Sequence, residues 1–231
     1  MIIDLNHYNK IVFFTGAGMS AESGVPTYRG SGGIWHKYNW KEYACQVAFD
    51  KDPQQVLDFH ELRRKSVLEC ETHKGHHFIT ELQKIYNDVT IVTQNIDGMH
   101  QRAGTKNVIE LHGSLWRLRC DDCGFAIDDI GESFTKKKCD CGKYLRPDII
   151  WFEDMLNTKV IQQASERIQE CDLFISIGTS GVVWPAAGFP QEAKSNGAYC
   201  IEMNTESTEL SYLFDEVIIC RASEIGKYFI D

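Results

Sequence analysis

Short apolar runs recur along this chain, and each stops at polar or turn-forming residues. Residues 11–14 run into Thr15-Gly16-Ala17-Gly18, residues 89–92 into Thr93-Gln94-Asn95, and residues 108–111 into His112-Gly113-Ser114. Residues 173–177 meet Gly178-Thr179-Ser180, residues 199–201 lead to Glu202-Met203-Asn204, and a last run covers 216–219. Six continuous β-rich runs predict strands buried on both faces. Helical spacing falls between them. Residues 53–70 put Val56, Phe59, Leu62 and Ser66/Val67 on one stripe, and residues 72–86 do so with Phe78, Ile79, Leu82 and Ile85. Residues 158–170, 185–195 and 223–229 supply further helices. Strands alternating with helices predict an α/β fold with a parallel, doubly wound, Rossmann-like sheet. Such sheets bind ligands beyond the carboxyl ends of their strands, and the polar signatures sit at those ends.

Two stretches break the alternation. Residues 30–74 carry helical material and no convincing strand, and residues 117–146 carry cysteines and few long apolar runs. The expected division is a Rossmann-like domain of residues 1–29, 75–116 and 147–231, a helical module of 30–74 and a zinc-binding module of 117–146. The two modules together would form a smaller domain over the sheet's edge.

Composition narrows the function. With 43% hydrophobic and 25% charged residues in 231, the chain reads as an ordinary soluble globular protein. Its 24 Lys+Arg against 33 Asp+Glu give a net charge of -9. That balance opposes sequence-independent nucleic-acid binding, which needs cations for phosphates, and suits a basic peptide partner. No apolar run approaches the roughly 20 residues that span a bilayer, and the first residues lack a basic start and a cleavage site. The expectations are a cytoplasmic monomer that touches neither membrane nor nucleic acid.

Nine cysteines are an odd number, and four of them cluster as Cys120-Asp-Asp-Cys123 and Cys139-Asp-Cys141. In a reducing compartment such a cluster points to metal rather than disulfides. Four thiolates suit tetrahedral zinc and leave no open position for water, so the zinc would be structural. The second pair has one intervening residue where two to four is usual, and four unligated thiols in a loop is the plain alternative. A nucleic-acid zinc ribbon is opposed by six acidic residues against three lysines in residues 120–141.

Gly16-Ala17-Gly18-Met19-Ser20-Ala21 follows a predicted strand and fits G-x-G-x-x-A, whose glycines let backbone amides approach a pyrophosphate. A dehydrogenase would continue into a helix and a second strand ending in an acid. Here the continuation is Glu22-Ser23-Gly24-Val25-Pro26-Thr27-Tyr28-Arg29-Gly30, which discourages a continuous helix. An extended flap over the dinucleotide is expected instead, and hydride transfer is disfavoured.

These residues, taken together, resemble the sirtuins, NAD-dependent protein deacylases, over nearly the whole chain. The segment from Gly16 to Arg29 looks like that family's NAD loop, Thr93-Gln-Asn-Ile-Asp97 like its nicotinamide-pocket segment and Leu111-His-Gly-Ser114 like its catalytic histidine segment. Leu145-Arg-Pro-Asp-Ile-Ile-Trp-Phe-Glu153, Gly178-Thr-Ser180 and the four cysteines complete the set in order. The resemblance implies His112 as general base and NAD as co-substrate, with one structural zinc on Cys120, Cys123, Cys139 and Cys141. It implies a cofactor set of Gly16, Ala17, Gly18, Ser20, Ala21, Glu22, Tyr28, Arg29, Trp35, Gln94, Asn95, Ile96, Asp97, Gly178, Thr179, Ser180, Asn204, Thr205 and Ala222. Within it, Ala17, Tyr28, Asn95, Ile96 and Asp97 would line the nicotinamide pocket. Arg29, Gln94 and Ser180 would hold phosphate and ribose, with Asn204 and Ala222 near adenosine. Phe152, Glu153, Val182 and Val183 would flank an acyl-lysine peptide, partly by strand-like backbone pairing.

The implied chemistry opens with the acyl oxygen attacking the ribose carbon that bears nicotinamide. His112 then accepts a proton relayed from the ribose hydroxyls, a task suited to imidazole's near-neutral pKa. Nicotinamide, O-acyl-ADP-ribose and free lysine result. Asp97 has a second reading as a helix N-terminal carboxylate. His73, His76, His77 and His100 match no motif and read as surface or core, and Cys45, Cys70, Cys171, Cys200 and Cys220 as packing residues.

The acyl group is a narrower question. Sirtuins that prefer succinyl, malonyl or glutaryl lysine carry a Tyr-x-x-Arg pair on a helix of the small domain. Arg63 matches the arginine and Ala44 the small residue that leaves room, while His60 replaces the tyrosine. The expectation is that acidic acyl groups are accepted, with acetyl second, and that protonated His60 tightens their hold. An ADP-ribosyltransferase on the same fold and a non-catalytic NAD or acyl-lysine sensor stay open as alternatives.

Overall fold

The computed structural model describes residues 2–28 and 33–230. β1 (Ile3–Asp4) precedes β2 (Lys10–Thr15), and the short α1 (Gly18–Ala21) follows. Four helices then come without a strand: α2 (Ile34–Lys37), α3 (Trp40–Tyr43), α4 (Gln46–Lys51) and α5 (Pro53–Leu68). The chain returns through α6 (Lys74–Ile85) to β3 (Asp88–Thr93), and through α7 (Met99–Arg102) to β4 (Val108–Glu110). Next come β5 (Gly113–Arg119), β6 (Ala126–Asp128) and β7 (Arg146–Ile149). The remainder is α8 (Thr158–Glu170), β8 (Leu173–Ile177), α9 (Phe189–Ser195), β9 (Tyr199–Asn204), β10 (Glu216–Ile219) and β11 (Phe229–Ile230).

All six expected strands lie in one parallel sheet, ordered β10-β9-β8-β2-β3-β4. Strands β2, β3 and β8 are buried almost throughout, because each sheet face is covered by its own apolar cluster. The chain leaves β2 to one side toward β3 and later returns to its other side as β8, which makes the β2/β8 boundary the switch point where a crevice opens. There Gly16 N–H donates to the Ile177 carbonyl at 3.0 Å, and Gly18 N–H to the Gly178 carbonyl at 2.9 Å. A Cβ on Gly16 or Gly18 would come within 2.7 Å of Gly178 backbone atoms. The glycines are thus demanded first by loop-on-loop contact.

Several expectations need correction. Leu62 is 60% exposed, while His60, Arg63 and Arg64 of the same helix are buried. Helix α5 turns a polar flank inward because those groups find partners or a cavity there. Ile85, placed on the buried stripe of α6, is exposed at the helix end. That helix starts at Lys74 because the ring of His73 caps it, Nδ1 accepting from Gly75 N–H at 3.0 Å. The last helix is a 3-10 segment over Ala222–Tyr228. The sheet β6-β5-β7 was not foreseen: its antiparallel register pairs Leu118 with Pro147 and Arg119 with Arg146, across a long sequence gap. It shares a second apolar core with α4 and α5, to which Leu115, Leu118, Ile149 and Trp151 contribute. Among the described residues no helix is long and apolar enough to cross a membrane.

Candidate active site

A cavity of about 820 Å³ lies at the carboxyl ends of β2, β3, β8 and β9 and reaches the second core. The strand ends supply Gly16–Gly18, Gln94–Ile96, Gly178–Ser180 and Asn204, and the flap after α1 supplies Thr27 and Tyr28. Trp35, Ala44, Phe59, His60 and Arg63 come from the helices, and His112 and residues 149–154 from around the small sheet. Val182 and Val183 complete the wall.

His112 sits between β4 and β5, and two bonds fix it. Its carbonyl accepts Ile150 N–H at 2.9 Å, and its Nδ1–H donates to the Gln94 carbonyl at 2.9 Å. The second bond assigns the tautomer: Nε2 is the bare nitrogen, with no protein partner among the described residues. Burial pushes the His112 pKa below its ordinary 6.5, partly offset by the Gln94 bond. The ring is therefore a free base at neutral pH. Gly113 makes this placement possible, since its φ is +76° and a Cβ there would meet the Asp148 carbonyl oxygen at 2.0 Å.

Asn95 Nδ2 donates to the Gly16 carbonyl at 2.9 Å and to Ser20 Oγ at 3.3 Å, tying β3's end to the glycine loop. Asp97 is buried but lies behind the cavity wall. Its Oδ1 accepts Met99 N–H at 2.9 Å, from the residue before the Gly98 N-cap of α7. Burial raises its pKa, against lowering by that bond and by Ser20.

Phe152 N–H donates to the Ala44 carbonyl at 3.1 Å, and its ring packs on Trp40 at 4.6 Å. Glu153 has φ +72°, a strain of about 1–2 kcal/mol for a side-chain-bearing residue. Arg63 is buried, and its Nε has no partner among the described residues. Its guanidinium carbon lies 5.2 Å from the Tyr28 ring centre. His60 corrects an expectation. Its Nδ1–H donates to the Val56 carbonyl at 2.7 Å, and its Nε2 accepts the Trp151 indole N–H at 3.3 Å. Burial drives its pKa down to about 3. Neutral and fully engaged, His60 is apolar wall rather than a protonatable clamp.

Ser20, Ala21, Glu22, Thr205 and Ala222 do not line the cavity. Glu22 instead accepts Ser223 N–H at 2.9 Å and Ser223 Oγ–H at 3.2 Å, and Ala222 is buried against Gly75. Thr205 N–H donates to Asn204 Oδ1 at 2.9 Å, and Asn204 Nδ2 to the Thr179 carbonyl at 2.9 Å. Arg29 lies outside the described residues. Sequence reasoning missed Thr27, Phe59, Leu115, Trp151 and residues 206–209 on the wall. Residues 206–209 follow β9's end, so the strand-end rule could have found them; Leu115 carries no such signal.

The four clustered cysteines offer sulfurs all within 4.8 Å of one another, with Cys120–Cys141 and Cys123–Cys139 at 3.5 Å. Sulfurs around a tetrahedral zinc, at bonds of about 2.3 Å, lie about 3.8 Å apart. The donor set fits one structural zinc. Gly124 and Gly142, at φ +73° and +91°, turn the backbone after each pair, so the single residue between Cys139 and Cys141 is no obstacle. The other five cysteines are buried and unpaired.

The Sir2 family model matches residues 16–185. The NAD-dependent protein deacylase of Aquifex aeolicus is 41% identical over 209 residues, covering 89% of this chain and 87% of that one. NAD-dependent protein deacylase 2 of Pyrobaculum aerophilum is 42% identical over 216 residues, covering 93% and 87%. A solved Sir2 homolog–NAD complex superposes with a TM-score of 0.87 at 39% identity, covering 96% of this chain and 88% of the other. By sequence motif, fold and cysteine cluster alike, this chain belongs to the Sir2 family.

Proposed function

We propose that this chain is an NAD-dependent protein-lysine deacylase that releases nicotinamide, O-acyl-ADP-ribose and free lysine, and that it accepts acidic acyl groups as well as acetyl. One observation carries the reading: a neutral His112 with a bare Nε2 stands in a cavity lined both by the glycine loops and by Ala44, Arg63 and Phe152. The backbone amides of Ala17, Thr179 and Ser180 face the pyrophosphate and ribose side, helped by Gln94, since those of Gly16, Gly18 and Gly178 are taken up by the Ile177, Gly178 and Met203 carbonyls. Asn95, Ile96 and Tyr28 orient the nicotinamide end from the cavity wall with Asp97 behind them, and Asn204 the adenosine end. NAD supplies the electrophilic ribose carbon that takes the acyl oxygen. His112 Nε2 accepts the ribose hydroxyl proton. Phe152–Glu153 and Val182–Val183 hold the peptide, and the apolar wall excludes water.

Arg63 supports the acidic-acyl reading. A buried guanidinium with an idle Nε and no ion pair within 4.0 Å among the described residues, its charge felt by the Asp97 carboxylate only at longer range, favours a ligand that completes it. The test is a panel of acyl-lysine peptides incubated with NAD and scored by nicotinamide release. Release that depends on acyl peptide and disappears in His112→Ala is expected; release by no acyl peptide would sink the deacylase reading. Arg63→Met should lower the succinyl-to-acetyl ratio of kcat/KM about ten-fold or more, the worth of a charge-assisted hydrogen bond. An unchanged ratio would remove the acidic-acyl part alone.

A further inference from the structure

Arg64 and Trp116 lie off the cavity wall, yet both are built into the support of the turn that carries Ile96 and Asp97. Strand β5 reaches that turn twice. Leu115 N–H donates to the Ile96 carbonyl at 2.9 Å, and the Trp116 indole N–H donates to the Asp97 carbonyl at 2.7 Å. The next residue, Gly98, has φ +72°, and a Cβ there would sit 2.7 Å from the indole nitrogen. The turn therefore rests directly on the indole ring.

The indole is itself held from behind. Arg64 is fully buried, its guanidinium carbon 5.4 Å from the Trp116 ring centre. It pairs with Asp129 Oδ1 at 2.7 Å, and Asp129 N–H donates to the Trp116 carbonyl at 2.8 Å. Asp129, Arg64 and Trp116 thus close a triangle, with Arg64 Nη1 left without a partner among the described residues. Buried ion pairs add little stability for their desolvation cost. This one places its guanidinium between two rings, 4.3 Å from Phe134 and 5.4 Å from Trp116, and holds the Gly131 carbonyl at 2.6 Å.

We propose that Trp116, locked by Arg64 and Asp129, is a positioning residue for the nicotinamide end of the dinucleotide: its N–H and ring face set the Ile96–Gly98 turn. The inference rests on reading Asn95–Asp97 as the nicotinamide segment. Without the indole N–H, the Asp97 carbonyl loses its donor, the left-handed Gly98 turn relaxes, and Asn95 and Ile96 shift on the cavity wall.

The discriminating measurement is calorimetric binding of NAD and of ADP-ribose, which lacks nicotinamide. Trp116→Phe keeps a ring beneath Gly98 and removes the donor. It should weaken NAD about five-fold, as the loss of one buried hydrogen bond does, and weaken ADP-ribose less than about two-fold by the same scale. Equal weakening of both ligands would make Trp116 merely structural, and no weakening of either would overturn the proposal outright. If Trp116→Phe does not fold, benzothienylalanine at position 116, isosteric but without the N–H, carries the same expectation. Asp97→Asn separates the two possible failures. If it alters NAD relative to ADP-ribose while the position-116 variant does not, the positioning role is wrong and the segment reading stands. If neither variant alters that ratio, both are wrong.

Discussion

His112 and His60 are both histidines in apolar surroundings, and burial pushes both below 6.5, yet their roles diverge through hydrogen bonding. The Gln94 carbonyl engages one nitrogen of His112 and leaves the other bare. His60 spends both nitrogens on Val56 and Trp151. A consequence follows for pH. With a pKa of about 3, His60 gains no charge between pH 8 and 5.5, so the succinyl-to-acetyl ratio of kcat/KM should be flat over that range. A ratio that climbs as pH falls through about 6.5 would mean His60 titrates normally and meets the acyl carboxylate. His112 was legible as a candidate because it stands in a motif after a strand. His60's task was not, because Trp151 lies 91 positions away and only the fold joins them.

At the scale of elements, the parallel sheet was readable because each buried strand is a continuous apolar run. The small antiparallel sheet was not, because its pairing joins residues near 118 to residues near 147 and its charges meet as Arg117–Asp148 and Arg119–Asp148. The join between the two sheets is Gly113. Gly113→Ala should cost about 1–2 kcal/mol from its left-handed backbone alone, plus the clash with Asp148, and should cut kcat/KM by displacing His112. Gly197→Ala is the internal control: its φ is +92° but nothing lies within 4 Å of the added Cβ. Comparing thermal melting of the two variants isolates the contact, and equal losses of stability and activity would refute it.

Across the whole molecule, besides His112, three histidines among the described residues stay neutral inside the fold. Burial first lowers His60 to about 3, His76 to about 2 and His100 to about 4, with Arg63 and Arg146 adding to the effect on His60 and neighbouring histidines to that on the other two. Unfolded, each would protonate near 6.5, so unfolding takes up protons below that pH. Their contribution to stability is complete above 6.5 and drains away as pH falls toward 4, by up to about 1.4 kcal/mol per pH unit for each. Urea midpoints between pH 7.5 and 4.5 should show this slope, and a His100→Asn variant should show a shallower one; identical slopes would show that His100 is not held neutral by the fold. Neither the second core nor this histidine group was visible in advance, since each is assembled from distant segments.

The two neighbouring arginines of α5 divide their duties, Arg63 facing the cavity and Arg64 the Asp129 carboxylate. Arg64 and the buried Val56, Leu57 and Val67 anchor the helix independently of positions 60 and 63. A combinatorial library at the cavity-lining residues 44, 60 and 63, with Arg64 held fixed, would test whether this wall selects the acyl chain, and acyl preferences unchanged throughout the library would show that it does not.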